Sequence, residues 1–242
     1  WRYQILLIVG TGEGYYSPMQ AIEARHAVRS YTDEPLAPEA VEALREAIAR
    51  VNEEANLNIQ LVLDEPRAFT GFKARLVNFT NVRNYLALVG PECKELDGIL
   101  GYYGEQLVLL AQSLGLNSCW VGGTFKVVNR AYNVDLGQKL AAVVALGYGA
   151  TQGVPHRSKA PQEVAPGYDG APEWFKRGVD AALLAPTALN QQKFSFSLDG
   201  EVGDVPVVRA STRRGAFAQM DLGIAQCHFE IGAGPALYRW AE

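Results

Sequence analysis

The chain reads as though it begins twice. Ala37-Pro38-Glu39 recurs as Ala171-Pro172-Glu173, and at the same spacing of 134 residues Ala47 recurs as Ala181 and Asn56 as Asn190. With one residue inserted, Ile59, Leu61, Leu63 and Asp64 then fall on Phe194, Phe196, Leu198 and Asp199. Any one of these matches is no more than chance produces, but their common register predicts an internal repeat of two similar half-units. The first copy opens with Pro38 at a first helical position and Glu39 in the first turn. Val41, Leu44, Ala47, Ile48 and Val51 follow at helical spacing, and residues 58–63 alternate as a strand.

The elements between the copies set the fold class. Residues 98–114 are apolar nearly all round and are closed by Gly115, which predicts a helix buried on several sides with a glycine cap. A glycine-studded helix over residues 221–232 answers it in the second copy. Residues 118–123 make a short strand ending in a glycine pair, and the apolar run 140–146 fits a strand covered on both faces. Residues 69–93 follow neither period. Strands and helices in this succession predict an α+β fold, a mixed or antiparallel sheet flanked by helices and internally duplicated. The expected division is an extension over residues 1–18, a first half at 19–153, a proline- and glycine-rich wrapping loop or linker at 154–171, and a second half at 172–242.

Several function classes are excluded on composition. The net charge is −4, so bulk charge does not suit nucleic acid. No apolar run approaches the roughly 18 residues that a membrane span needs. Cys93, Cys119 and Cys227 are odd in number and share no paired spacing, which suits thiols kept reduced in a cytoplasm, and the three histidines show no metal-ligand spacing. Ile5 to Val9 followed by Gly10, Gly12 and Gly14 imitates a dinucleotide-binding turn, but the third glycine would fall at Tyr15, and Ser17 with Pro18 break the helix that should receive the pyrophosphate. The run is also short for a secretory signal, and Met19 resembles a natural start.

On this acidic background one basic cluster stands out, Arg25-His26-Ala27-Val28-Arg29. If it is helical, Arg25 and Arg29 share a face with His26 adjacent, and such a group is stable beside an anion, best a phosphate. A solvated helix face would look the same. His156, Arg157, Ser158 and Lys159 form a second basic group in the linker. The second copy carries Ala185-Pro186-Thr187-Ala188-Leu189-Asn190-Gln191-Gln192-Lys193-Phe194. There a proline stops the helix and small residues let the backbone approach a flat ligand.

Together these segments resemble the flavin-dependent nitroreductases. Residues 21–31 are similar to that family's opening R-[RH]-S-x-[RK]-x-[FY], and residues 185–194 to its A-P-S-x-x-N-x-Q-P-W. Residues 115–123 resemble its L-G-L-x-[ST]-C-W-x-G-G strand, and residues 157–164 its R-K-P-x-x-E-V. The order departs from the usual one. In typical members the proline-to-asparagine segment follows the first helix, where this chain has Glu53-Glu54-Ala55-Asn56, and two identical chains build each flavin site. Here the intact segment stands only in the second half, which resembles a subgroup whose single chain forms a pseudo-dimer with about one flavin.

The resemblance implies that Arg25, His26 and Arg29, with Arg157 and Lys159, hold the phosphate and ribityl end of FMN. Pro186, Thr187, Ala188 and Asn190 would line the isoalloxazine, and a backbone N–H of Gly122 or Gly123 would approach N5. Ala27 replaces a usual serine, and Lys193-Phe194 replace Pro-Trp. The implied activity is ping-pong reduction of a nitroaromatic, quinone or similar small molecule by NAD(P)H through FMN, with no side chain required as acid or base. The implied protein is a cytoplasmic monomer built as a pseudo-dimer, with a homodimer as the alternative and no nucleic-acid or membrane partner. Reductive dehalogenation, dehydrogenation of peptide-derived rings and flavin fragmentation belong to the same family appearance. A flavin- or nucleotide-binding module without turnover is the reading from outside enzymes.

Overall fold

The computed structural model describes residues 16–236 and 238–241. The glycine turn read at residues 10–14 therefore lies outside the described residues. The chain divides into two compact units. One takes in the described residues up to Leu96 together with Gln106–Pro155, and the other Asp97–Glu105 with the described residues from His156 onward.

The first unit opens with a short helix, α1 (Pro18–Ala24). Ser17 and Pro18 start this helix rather than breaking one. The Ser17 hydroxyl accepts from the Gln20 N–H, the Gln20 side chain caps the Ser17 N–H in return, and Pro18 takes the first helical position, where no amide hydrogen is needed. Helix α2 (Pro38–Ala55) then buries Leu44, Ala47, Ile48 and Val51 as their spacing predicts, and ends on Asn56 in the left-handed region, φ 51°.

Strand β1 (Gln60–Val62) is shorter than the alternating run, and Val62 is its buried residue, with Leu61 only half-buried. The Asn52 side chain takes both the N–H and the C=O of Ile59, so the ladder begins one residue later than the alternation suggests. A 3₁₀ turn (Pro66–Phe69) leads into the segment that followed neither period, which contains a five-residue helix α3 (Phe72–Leu76) and strand β2 (Asn84–Pro91).

Helix α4 (Leu96–Ser113) is divided between the units. It ends as its sequence predicts: Gly115 has φ +79°, its N–H bonds the Gln112 carbonyl, and the Leu116 N–H bonds Ala111, closing a Schellman cap. Strands β3 (Asn117–Val121) and β4 (Gln138–Gly147) complete a four-stranded antiparallel sheet in the order β1-β2-β4-β3. The inner position of β4 accounts for its unbroken apolar run, since residues 142–147 are all buried. Tyr85, Phe69, Phe79, Val121, Val128 and Val143 form the heart of this unit's core.

The second unit carries α5 (Pro161–Val164), α6 (Glu173–Ala182), β5 (Phe194–Val202), β6 (Val205–Thr212), α7 (Ala218–Ala233) and β7 (Arg239–Trp240). Strands β5 and β6 pair antiparallel, and β7 joins β6 in parallel. Its core is aromatic: Phe229 stacks on Phe196 with centroids 4.7 Å apart and meets the edges of Phe175 and Tyr238. Helices α6 and α7 approach closely because Gly178 lies against the Phe229 ring and Gly232 against the Arg177 carbonyl.

The start of α4 and α7 meet backbone to backbone. A Cβ on Gly101 would stand 2.2 Å from the Met220 carbonyl oxygen, and one on Gly223 would stand 2.0 Å from the Gly98 oxygen. No helix among the described residues is long and apolar enough to cross a membrane.

Candidate functional site

The basic cluster of the first unit is extended, not helical, which corrects the expectation that one helical turn separates its two arginines. Arg25 caps α1 with φ −71° and ψ 119°, and the chain then enters the sheet edge. Val28 N–H donates to the Ser118 carbonyl at 3.0 Å, Thr80 N–H to Arg29 at 2.9 Å, and Ala150 N–H to Ser30 at 2.9 Å. Ala27 bridges Ser118 in parallel. Two buried side chains hold the segment down, Val28 and Tyr31, with the Tyr31 hydroxyl donating to the Val28 carbonyl at 2.7 Å. Their burial outweighs the helical tendency of a short stretch.

Although extended, the segment still concentrates its cations. Burial pushes the Cys119 thiol up, and the guanidinium groups of Arg29 and then Arg25 pull it down, so both charges bear on one point of β3. Arg25 is buried and Arg29 exposed. His26 Nδ1 stands 2.9 Å from the Ala24 carbonyl, which can only accept, so this nitrogen carries the hydrogen. Gly153, at φ +71°, backs the cluster: a Cβ there would come within 2.8 Å of His26 Cβ and 3.1 Å of the Ala27 oxygen.

Strand β3 runs from the arginines to the glycine pair. Gly122 and Gly123 follow Val121 directly, and Ala27 lies beside Ser118, about 13 Å of extended chain before Gly122. Gly123 needs no left-handed backbone, and a Cβ on it would meet nothing within 4 Å. Its bareness serves neither a turn nor internal packing, and leaves the end of β3 open to approach.

The second group of candidate residues lies in the second unit, where the structure joins Arg157 and Lys159 to the proline-to-asparagine turn. The connecting side chain is Gln192, 2% exposed. Its Oε1 accepts from the Lys159 N–H at 2.9 Å, and its Nε2 donates to the Arg157 carbonyl at 2.9 Å and to Asn190 Oδ1 at 2.7 Å. Asn190 Nδ2 also donates to the Arg157 carbonyl at 2.9 Å, and Gln192 N–H donates to the Thr187 hydroxyl at 3.1 Å. The Lys159 ammonium donates to the Gln192 carbonyl at 2.6 Å, so one of its three hydrogens is committed to holding the turn.

Three non-glycine residues of this turn sit in the left-handed region, Leu189, Asn190 and Gln192, with φ of 55°, 52° and 42°. Each such residue costs roughly 1 kcal/mol or more and needs outside support. Beyond the Gln192 clasp, that support is Asp221 in the first turn of α7. Its carboxylate accepts the Ala188 N–H at 3.0 Å and Gln191 Nε2 at 2.9 Å. Burial raises the Asp221 carboxyl, and these two donors and nearby Lys193 oppose the rise. Pro186 and Thr187 lead into the turn half-buried, and Leu189 and Asn190 stand exposed at its tip.

Sequence reasoning named Arg157, Lys159, Pro186, Thr187, Ala188 and Asn190 but missed Gln192 and Asp221. For Gln192 a signal existed, the glutamine two places after the asparagine in the motif that the segment resembles. Nothing in the sequence links Asp221 to a turn some thirty residues before it.

The family described as "Putative TM nitroreductase" matches residues 18–233. No curated protein matches the sequence significantly. Among solved structures, a "putative nitroreductase" from Thermotoga maritima superposes with a TM-score of 0.60 at 17% identity, covering 96% of this chain and 88% of that one, a likeness of fold. A "putative nitroreductase" from Desulfovibrio desulfuricans in complex with FMN gives 0.48 at 21% identity, over 61% and 95% of the two chains. An FMN-dependent nitroreductase from Clostridium difficile gives 0.43 at 16% identity, over 54% and 87%. With the family match running from the first turn of α1 to the last of α7, the chain belongs to the nitroreductase family.

Proposed function

We propose that this protein is an FMN-dependent NAD(P)H oxidoreductase that reduces nitroaromatic, quinone or related small acceptors. The observation that carries the reading is the extended segment bearing Arg25 and Arg29, bonded at Ala27 and Val28 to Ser118 of the strand that ends in the glycine pair. The donor set suits a phosphate monoester: two arginines, with the His26 ring beside them oriented by its Nδ1–H bond to the Ala24 carbonyl. The open space at Gly123 suits a flat ring approached by backbone N–H alone. FMN, when bound, supplies two-electron chemistry between a hydride donor and an acceptor.

Every other role falls to the chain. Arg25, His26 and Arg29 hold the phosphate, and Gly122 or Gly123 offers a backbone donor toward N5. Arg157, Lys159, Pro186, Thr187, Ala188 and Asn190 keep the roles that the resemblance implies, with Gln192 fixing the shape of their turn. NAD(P)H gives up a hydride, and the acceptor takes two electrons with two protons, one of them from water. No side chain needs to act as acid or base.

Internal duplication is part of the proposal, and three features support it. Asn56 and Asn190 both adopt the left-handed region, φ 51° and 52°, and Ala47 and Ala181 are both fully buried. The glycine contacts of α4 and α7 are reciprocal, residues 98 and 101 corresponding to 220 and 223, as a two-fold relation requires. A monomer carrying about one FMN follows from it.

The test is flavin content and solution mass of the purified protein, followed by reduction with NADH or NADPH. Yellow protein that bleaches, near one FMN per chain, is expected. Arg29→Ala, at an exposed position, should weaken FMN about tenfold while leaving the unfolding midpoint unchanged. Colourless protein that takes up no added FMN, or yellow protein indifferent to both reductants, overturns the assignment.

A further inference from the structure

Helix α3 presents an unusual outward face. Its middle residue, Ala74, is buried in the first unit's core, while Phe72 and Leu76 are 75% and 65% exposed. Lys73 and Arg75, each one residue from Ala74, flank these apolar side chains. The loop that follows the glycine pair belongs to the same surface. Its Lys126 N–H donates to the Ala68 carbonyl at 2.8 Å, and its Val128 packs in the same core as Ala74. Lys126 and Arg130 on this loop are exposed.

Charge separates these four cations from their neighbours. Arg67 is paired with Glu65 and Arg83 with Asp64. Lys73, Arg75, Lys126 and Arg130 have no acidic partner among the described residues, on a protein whose net charge is −4. Grouped like charges repel, so an acidic protein that sets two such cations beside an exposed aromatic ring, with two more on a loop anchored to the same core, is matched to a ligand with a base to stack and phosphates to pair. Lys126 stands three residues after Gly123 in the chain, so the loop that carries it leads directly from the glycine pair.

We propose that this face binds the phosphorylated adenosine end of NADPH, with the 2′-phosphate on the cations and adenine on Phe72, and thereby selects NADPH over NADH. The proposal rests on the oxidoreductase reading above.

The experiment measures binding of adenosine 2′,5′-bisphosphate and adenosine 5′-monophosphate by calorimetry at low salt, which needs no turnover. The bisphosphate should bind about tenfold tighter, and Lys73→Ala/Arg75→Ala and Lys126→Ala/Arg130→Ala should each bring the ratio toward one. Phe72→Ala should weaken both probes alike. In steady state the same double variants should raise KM for NADPH severalfold, leaving kcat, KM for NADH and FMN content as in the parent. Equal affinity for the two probes, or a ratio that survives both double variants, overturns this inference. Protein that carries FMN and uses NADH and NADPH equally well sinks it and spares the preceding reading. Protein without FMN that still prefers the bisphosphate sinks the preceding reading alone.

Discussion

His228 Nε2 stands 2.9 Å from Glu105 Oε1, and neither side chain reaches solvent. The other ring nitrogen lies 3.1 Å from the Ala181 carbonyl, which accepts only, so Nδ1 bears a hydrogen and a second proton lies between Nε2 and the carboxyl group. Wherever that second proton rests, the pair is neutral overall, which is how two ionisable groups are accommodated in an apolar interior. Removing one member takes from the other the partner with which it shares a proton. His228→Leu and Glu105→Leu should each lower stability by about 3–5 kcal/mol in denaturant unfolding, and the double variant by clearly less than their sum. Strict additivity would show that the pair is not coupled.

The crossing of α4 and α7 predicts a sharp contrast among glycines. Gly101→Ala and Gly223→Ala drive a methyl into a carbonyl 2.2 Å and 2.0 Å away, and each should cost about 2 kcal/mol or more, or prevent folding. Gly71→Ala and Gly170→Ala, where a Cβ meets nothing within 4 Å, should be nearly neutral. Thermal unfolding of the four variants side by side decides the matter, and equal shifts would contradict the helix crossing.

Glu230 yields a prediction about pH. Its carboxylate accepts from the Tyr102 hydroxyl and, at 2.6 Å, from Trp240 Nε1, yet burial is the larger influence and raises its pKa. A carboxyl whose pKa is higher folded than unfolded binds more protons in the folded state between those two values. Stability from this group therefore falls as pH rises through that window, and it is recovered in acid. Glu230→Gln removes the titration. The parent should lose stability relative to the variant as pH rises above the ordinary carboxylate range, read from unfolding midpoints at successive pH values. A gap that does not change with pH would refute the assignment.

Gln192 should behave as a positioning residue. Gln192→Ala deletes its clasp on Arg157, Lys159 and Asn190 and should cost about 1–3 kcal/mol. If the turn lines FMN, cofactor affinity should fall as well, with the flavin absorption of the bound form shifted. Gln192→Glu, which keeps the acceptor but loses the donor, should recover stability only in part. Unaltered stability in the alanine variant would mean that the turn holds its own shape.

Much of the architecture was legible because hydrophobic period and punctuation agree. Gly115 after an all-apolar run marked the end of α4, and the unbroken run in β4 marked a strand with neighbours on both sides. Two kinds of information were not legible. Arg25 to Arg29 looked helical because spacing on a helix explains its charges, whereas hydrogen bonds to Ser118, Thr80 and Ala150, distant in sequence, draw it out as extended chain. Ser17 and Pro18 were read as an interruption because the glycines before them suggested a helix already under way. The candidate residues were found largely by resemblance, and those that hold them in place were missed, since Asp221 acts through a carboxylate contact that no local pattern announces.

The three left-handed residues of the segment Pro186 to Gln192 have a consequence for engineering. Bonds within the seven residues from Pro186 to Gln192 hold only part of that geometry; the rest comes from Asp221 on one helix and from loop residues 157–159 on the other side. Grafting that heptapeptide alone onto another scaffold would transplant the letters and leave the shape behind. A working transplant must bring both braces with it.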